Sequence, residues 1–139
     1  MLEAVGHKGT SEFFEKCAEL LRPDGTLQIQ VITIPEERYQ SYRRNCDFIQ
    51  KYIFPGGLLL SPEFVRDEAD RAGFDISHER SIGQHYITTL RHWRRKLQSN
   101  REKIYQLGFT DRELRRFIYY FSYCEGGFAS GSVGNHQFF

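Results

Sequence analysis

This sequence lacks a long apolar run, a strong net charge and a cysteine framework, and each absence excludes a class of protein. No stretch reaches the roughly 18 apolar residues that a membrane-spanning helix needs. The net charge of +1 over 139 residues gives no reason to expect a nucleic-acid partner. The first residues show no charged-then-apolar signal pattern. These absences favour one cytosolic domain.

Metal-ligand, disulfide and cofactor-loop patterns are also missing. The three cysteines are an odd number without metal-ligand or redox spacing, so we expect reduced thiols. The histidines at positions 7, 78, 92 and 136 lack metal-ligand spacing, and no metal site is predicted. No glycine-rich G-x-G-x-x-G loop, which holds dinucleotide phosphates, occurs in the chain.

Aromatic residues, in contrast, are abundant. They make up 15% of the sequence, with 12 Phe and 8 Tyr, and 40% of all residues are hydrophobic. This content is enough for a core and suggests a large apolar cavity or interface in addition.

The first half of the chain has the element order of an α/β fold. Thr10 is expected to cap a helix over residues 11–22, and alternating apolar residues predict a strand over 26–34. The next helix is predicted to begin at Ser61, which is followed by a proline. A second strand is predicted over residues 74–82.

A helical insertion over residues 35–60 separates these α/β elements. It begins with a proline that is typical of a helix start and ends in a Pro-Gly-Gly turn. Because it is too long for a simple connection, we interpret it as a lid or a substrate-pocket subdomain.

The second half of the chain is predicted to be mainly helical. The longest helical pattern covers residues 84–107. Thr110 and Glu113 form a predicted capping box for a further helix, which the glycines at 126, 127, 131 and 134 are expected to break. A final strand is predicted over 132–139.

Tyr86 lies at the junction between a predicted strand and the long helix. It recurs with Leu90, Trp93 and Leu97 on one helical face, whereas a basic run from Arg91 to Lys96 lies on the other. Tyr86 either serves a polar site at this junction or packs in the core of a plain amphipathic helix. The basic run is either a solvated face or a contact for anionic lipid headgroups.

Other residues can likewise be interpreted either as part of a functional site or as structural. Glu3 follows an implied strand end, where ligands bind in open α/β sheets, or it is a surface acid. Gln28 and Gln30 lie on a predicted strand that should be buried, so one of these amides is expected to serve a polar site. Cys124, in an aromatic helix, is by default a buried structural thiol.

Several motifs together resemble the cyclopropane-fatty-acyl-phospholipid synthase family, which includes the mycolic acid cyclopropane synthases. These are S-adenosylmethionine-dependent methyltransferases. The resembling segments occur in order along nearly the whole chain: EAVGH (3–7), LQIQVITIPEERYQSYR (27–43), DFIQKYIFPGG (47–57), GQHYITTLRHW (83–93) and YYFSYCEGGF (119–128).

The resemblance implies a bound bicarbonate that acts as the base. Its ligands carry over to Glu3, Ile32 and Tyr86, and the family's histidine position falls on Gln30. A glutamine donates a hydrogen bond but carries no positive charge, so anion binding is expected to be weaker. Cys124 matches a cysteine that is sometimes assigned to the family's active site.

The implied reaction transfers the methyl group of S-adenosylmethionine to a cis double bond of a phospholipid acyl chain. The bicarbonate then removes a proton from the carbocation, and a cyclopropane ring closes. The implied partners are unsaturated phospholipids at a membrane surface and, for the protein itself, a second copy in a homodimer. The protein would be cytoplasmic and peripheral to the membrane.

The resemblance also predicts a fold: the C-terminal part of a Rossmann-like class I methyltransferase sheet with a helical insertion. The cofactor loop would lie upstream of Met1, so no cofactor-binding residue is assigned in the chain, and the isolated chain is expected to be inactive. The alternative from another class is a non-catalytic module that binds a lipid surface or a partner.

Overall fold

The computed structural model describes residues 2–139 and divides into two compact units. Met1–Ile82 and Gly134–Phe139 form the first, which we call the sheet unit. Gly83–Val133 forms the second, which we call the helical unit.

The sheet unit contains a three-stranded sheet in the order β1-β3-β2. Its strands are β1 (Ile29–Thr33), β2 (Glu79–Ser81) and β3 (Gly134–Phe138). The central strand β3 is antiparallel to both neighbours, so β1 and β2 run parallel to each other. The final predicted strand is confirmed. The other two are shorter than predicted, and ahead of β2 Phe74 and Ile76 pack against the hydrophobic core instead.

Helix α1 spans Leu2–Leu20 and bends at Gly6, whose φ of 67° is readily accessible only to glycine. The prediction that Thr10 begins this helix is wrong. The buried Thr10 hydroxyl donates to the Gly6 carbonyl oxygen at 2.8 Å, so it serves the bend inside the helix and not a helix start.

The insertion between β1 and the next long helix contains two short helices, α2 (Glu36–Tyr42) and α3 (Phe48–Tyr52). Asp47 and Gln50 form a capping box at the start of α3. The Gln50 side chain also donates to the Gly57 carbonyl oxygen at 3.1 Å, which ties α3 to the turn that ends the insertion.

Helix α4 spans Pro62–Arg71 and confirms the predicted start, because the Ser61 hydroxyl accepts the Phe64 amide. Helices α1 and α4 supply apolar side chains to the same core as β1. Its buried members are Leu2, Phe14, Val31, Ile34, Tyr39, Leu60, Val65, Ala69 and Phe138. This core fixes the end of α1 that carries Glu3 relative to strand β1.

The helical unit has three helices, α5 (Gly83–Ser99), α6 (Arg101–Gln106) and α7 (Asp111–Ala129). The single helix predicted over 84–107 is therefore interrupted. At the break, the Asn100 side chain donates to the Lys96 carbonyl oxygen at 2.8 Å and competes with the backbone.

Helix α7 begins at the predicted capping box, in which Thr110 and Glu113 satisfy each other's backbone amides. The predicted break is wrong for Gly126 and Gly127, since the helix continues to Ala129 and the Ser130 amide donates to the Gly126 carbonyl oxygen at 2.9 Å, whereas the glycines at 131 and 134 do follow its end. Gly127 lies against Val133, where a Cβ atom would approach the valine to 3.3 Å. Packing therefore outweighs the low helix propensity of glycine.

Helices α5 and α7 pack antiparallel. Tyr86, near the start of α5, stacks on Phe128 near the end of α7, with ring centroids 5.2 Å apart. Further along α5, Trp93 meets Phe121 edge-on at 6.0 Å. The predicted apolar face of α5 is thus only partly correct, because Leu90 is buried whereas Trp93 remains half exposed.

Candidate active site

Glu3 is held at the edge of strand β1 by both its side chain and its backbone. Its Oε1 accepts the Ile32 amide at 2.7 Å, and its carbonyl oxygen accepts the Leu58 amide at 2.8 Å. Glu3 lies in helix α1, which begins at Leu2. The structure therefore brings two predicted site residues, Glu3 and Ile32, into direct contact.

The charge of Glu3 is stabilised in this position. Burial by itself raises the pKa of Glu3, whereas the hydrogen bond from the Ile32 amide lowers it by stabilising the carboxylate. As a carboxylate, Glu3 can accept a hydrogen bond from a ligand O–H group.

Gln30 lies on β1 two residues before Ile32, on the same face of the sheet. The expectation of a buried glutamine is wrong, since Gln28 and Gln30 are both exposed. The Gln137 side chain on β3 donates to the Gln30 Oε1 at 3.1 Å, directly across the strand pair. This bond turns the Gln30 NH2 group away from Gln137.

Two further polar residues of this sheet face were missed by sequence reasoning. Gln137 orients Gln30, and Asn135 pairs in register with Ile32. Asn135 is fully buried, and within residues 2–139 its amide oxygen and nitrogen lack hydrogen-bond partners. The alternation Asn135, Gln137 along a predicted strand was the available signal, since it places two amides on one face.

His7 connects α1 to the helical insertion. Its Nδ1 lies 2.8 Å from the Tyr39 hydroxyl, and its ring packs on Phe64 with centroids 4.4 Å apart. Burial raises the pKa of Tyr39 to about 12, so this phenol stays protonated at neutral pH and shares a hydrogen bond with the His7 ring. The contact fixes the turn that follows Glu3 against helix α2.

Tyr86 and Cys124 lie in the helical unit and are both half-buried. Tyr86 belongs to the first turn of α5 and is stacked on Phe128, which supports its packing role. Its role in a polar site stays a prediction. Cys124 is on α7 near Tyr120, whose pKa is raised to about 12 by burial and by the neighbouring thiol.

The basic run of α5 is not simply a solvated face. Arg91 and Arg94 each donate to a different oxygen of Glu125 on α7, both at 2.8 Å. Half of the predicted lipid-binding run is therefore used to join two helices, whereas Arg95 and Lys96 remain exposed.

The described residues form neither a metal site nor a membrane-spanning helix. Within residues 2–139, no group of three or more His, Cys, Asp or Glu side chains is arranged to hold a metal ion. In the same part of the chain, no helix combines the length and the apolar character needed to cross a bilayer.

Known structures share this architecture over nearly the whole chain. The mycolic acid cyclopropane synthase CmaA1 complexed with SAH and CTAB matches with a TM-score of 0.88 and 30% identity. The cyclopropane synthase MmaA2 from Mycobacterium tuberculosis matches with a TM-score of 0.87 and 26% identity. Each match covers 98% of this chain and 50% of the known chain. The predicted fold class, part of a Rossmann-like class I methyltransferase, is confirmed.

Sequence comparison narrows this class to one family. The family described as mycolic acid cyclopropane synthetase matches residues 1–138, and the chain belongs to it. Tuberculostearic acid methyltransferase UfaA1 from Mycobacterium tuberculosis is 38% identical over 138 residues, which are 99% of this chain and 32% of that relative. The chain thus spans half or less of the length of these relatives.

Proposed function

We propose that the protein containing this chain is an S-adenosylmethionine-dependent methyltransferase that adds a methylene group across a cis double bond of a phospholipid acyl chain. The observation that carries the proposal is the Glu3 carboxylate, held 2.7 Å from the Ile32 amide on the strand that also presents Gln30. Family membership supports methyl transfer to a lipid, and this contact joins two of the residues that the resemblance places around the base.

The donor set fits a bicarbonate ion in a specific orientation. A carboxylate at Glu3 repels an anion unless a proton lies between them, and bicarbonate carries one O–H group that can donate to Glu3. The Gln30 amide is an uncharged donor on the same strand edge. Because no cationic histidine stands at position 30, affinity rests on hydrogen bonds alone.

S-adenosylmethionine, when bound, would supply the electrophilic methyl group, and bicarbonate would supply the base. Glu3 then orients the anion by accepting its O–H group, and Gln30 steadies it with an N–H group. On the family resemblance, Tyr86 donates its phenolic hydrogen to the same anion, and Cys124 is an active-site residue. Changing Gln30→His should raise activity at low bicarbonate, because a positive charge would be restored.

The names of the relatives support the choice of acceptor. The curated relative UfaA1 is called a tuberculostearic acid methyltransferase, and the CmaA1 structure contains SAH and CTAB. We extend this to an unsaturated phospholipid at a membrane surface, to which the protein would bind peripherally, and to a homodimer as the working assembly.

The test uses the protein that contains this chain, expressed from its complete reading frame. It is incubated with methyl-labelled S-adenosylmethionine and vesicles of a monounsaturated phospholipid, and the lipid is analysed by mass spectrometry. We expect the labelled carbon in an acyl chain that has lost its double bond. A methyl branch or a methylene side group in place of the ring would correct the product, and absence of label from lipid would overturn the proposal.

A further inference from the structure

The turn between α6 and α7 exposes two large apolar side chains. Leu107 is 77% exposed and Phe109 is 43% exposed, on either side of Gly108. Gly108 has a φ of 92°, which allows the sharp reversal. We call residues 107–109 the tip. Exposed neighbouring apolar side chains of this kind mark an interaction site.

The tip is held by a polar network and does not depend on a flexible loop. The Arg101 guanidinium donates to the Tyr105 hydroxyl at 2.7 Å and to Asp111 at 2.8 Å, and Tyr105 donates to Asp111 at 2.9 Å. These bonds join α6 to the start of α7. Leu107 and Phe109 are therefore presented in fixed positions before any partner arrives, which lowers the entropic cost of binding.

Positive charge predominates in the sequence on both sides of the tip. Between positions 95 and 116 the chain has seven basic residues against three acidic ones, Glu102, Asp111 and Glu113. Asp111 is already paired with Arg101 and Arg115, and Glu113 accepts the Thr110 amide. The basic residues are Arg95, Lys96, Arg101, Lys103, Arg112, Arg115 and Arg116.

We propose that the tip docks on an anionic lipid bilayer, with Leu107 and Phe109 inserted among the headgroups and the surrounding basic residues on lipid phosphates. Charge complementarity selects this occupant, since a net positive surface around apolar side chains matches the acidic headgroup layer. A folded acidic partner would need a pocket for both side chains, whereas a headgroup layer deforms around them. The proposal deepens the proposed function and rests on it only in naming phospholipid as the substrate.

The test measures binding without turnover. This chain is mixed with vesicles of phosphatidylcholine alone or of equal parts phosphatidylcholine and phosphatidylglycerol, and bound protein is separated by flotation. We expect binding to the anionic vesicles only, and weaker binding as salt screens the charges. The pair Leu107→Ser and Phe109→Ser should reduce the bound-to-free ratio about tenfold or more. Lys103→Glu with Arg112→Glu should reduce it comparably.

Leu20→Ser is the matched control, because Leu20 is 79% exposed but lies on α1 in the sheet unit. It should bind as the unchanged chain does. A second readout moves the single tryptophan to the tip, with Trp93→Phe and Phe109→Trp, and brominated lipids should quench this residue.

Three results would overturn the docking proposal: no binding to anionic vesicles, equal binding by the serine pair, or an unquenched tip tryptophan. If the tip instead mediates self-association in the absence of vesicles, and the serine pair abolishes it, the surface is a protein contact and the proposal is wrong. Because methyl transfer is not measured, none of these outcomes tests the proposed activity. Conversely, a protein that binds vesicles without methylating their lipids would support the docking proposal and contradict the proposed activity.

Discussion

The sheet unit and the helical unit differ in charge as sharply as in secondary structure. The sheet unit has ten Lys and Arg residues against 14 Asp and Glu residues, a net charge of −4. The helical unit has nine Lys and Arg residues against four Asp and Glu residues, a net charge of +5. The near-neutral total thus conceals two oppositely charged regions, and a whole-chain charge is a poor guide to which surface meets an anionic partner.

The two units also use ionisable groups differently. In the sheet unit, burial lowers the pKa of His7 and His136, and Glu3 accepts the Ile32 amide of β1. In the helical unit, the arginines of α5 lower the pKa of Glu125 by hydrogen bonding. Buried polar groups near a strand edge suit binding chemistry, whereas part-buried ion pairs between helices mainly contribute to helix packing.

The largest stability effect is expected in the sheet unit. Phe14 is 1% exposed and packs edge-on against Phe13 and Phe74. Phe14→Ala should cost about 3–5 kcal/mol, whereas Leu114→Ala in α7 should cost about 2–5 kcal/mol. Hydrogen exchange should show the Phe14 loss mainly in amides of the sheet unit. Equal loss of protection in both units would show that they unfold together, which would contradict the separate stability of the two units.

A moderate effect is expected from the ion pair between α5 and α7. Glu125→Gln removes the charge that Arg91 and Arg94 share. Since the Arg91 side chain is 43% exposed, water screens part of the interaction and we expect a loss of only about 1 kcal/mol in urea unfolding. The loss should shrink in high salt. A variant as stable as the unchanged protein at low salt would contradict this packing role.

Mild acid should affect the sheet unit first. Burial lowers the pKa of His136 below its usual 6.5, even though Glu79 opposes this shift, and Arg66 on α4 adds to it. A lowered histidine pKa means that the unfolded chain binds the proton more readily, so stability is full above pH 6.5 and falls as the pH drops below it. His7 contributes in the same direction.

The control for this pH effect is His136→Gln, which can still reach the Thr33 hydroxyl that lies 2.8 Å from the His136 Nδ1. Thermal unfolding between pH 7.5 and 5 should show a smaller slope for the variant. An unchanged slope would mean that other groups carry the acid sensitivity. The helical unit should respond at lower pH, because the lowered pKa values there belong to carboxylates such as Glu125.

The smallest effect is expected in the insertion. Asp47→Ala removes the side chain that accepts the Gln50 amide at 2.8 Å and caps the short helix α3. The loss should be about 0.5 kcal/mol and local, visible as faster exchange of the α3 amides. Asp47→Ser is the control, because a serine can cap the same helix. Faster exchange throughout the sheet unit would instead show that the insertion is integral to the core.

Local signals in the sequence predicted local structure well. The Ser61 start of α4 and the Thr110–Glu113 capping box each depend on contacts within four residues, and both are confirmed. Failures came where distant contacts decide. Helix α7 continues through two glycines because Val133 packs on Gly127, and the strand residue Gln30 is exposed. A period-two pattern cannot say which sheet face is covered.

The candidate site was predicted only as far as the family resemblance reached. The motifs identified Glu3 and Ile32, and the structure brings their side-chain oxygen and backbone amide together. Gln137 and Asn135 could not be found this way, because their roles depend on the strand register across β3. The sequence also could not show which residues of the basic run are paired, since Glu125, the partner of Arg91 and Arg94, is more than 30 residues away.

The most direct test of the account is the turnover of a monounsaturated phospholipid across a bicarbonate titration, in the protein that contains this chain. Glu3→Gln and Tyr86→Phe should each lower turnover by about 10²–10³, while lipid binding stays nearly unchanged, because each would remove one hydrogen bond to the proposed bicarbonate. Lys8→Gln, an exposed change on α1, should leave both unaffected. If Glu3→Gln and Tyr86→Phe keep the unchanged protein's rate at every bicarbonate concentration, Glu3 and Tyr86 are structural and the assigned base site is wrong.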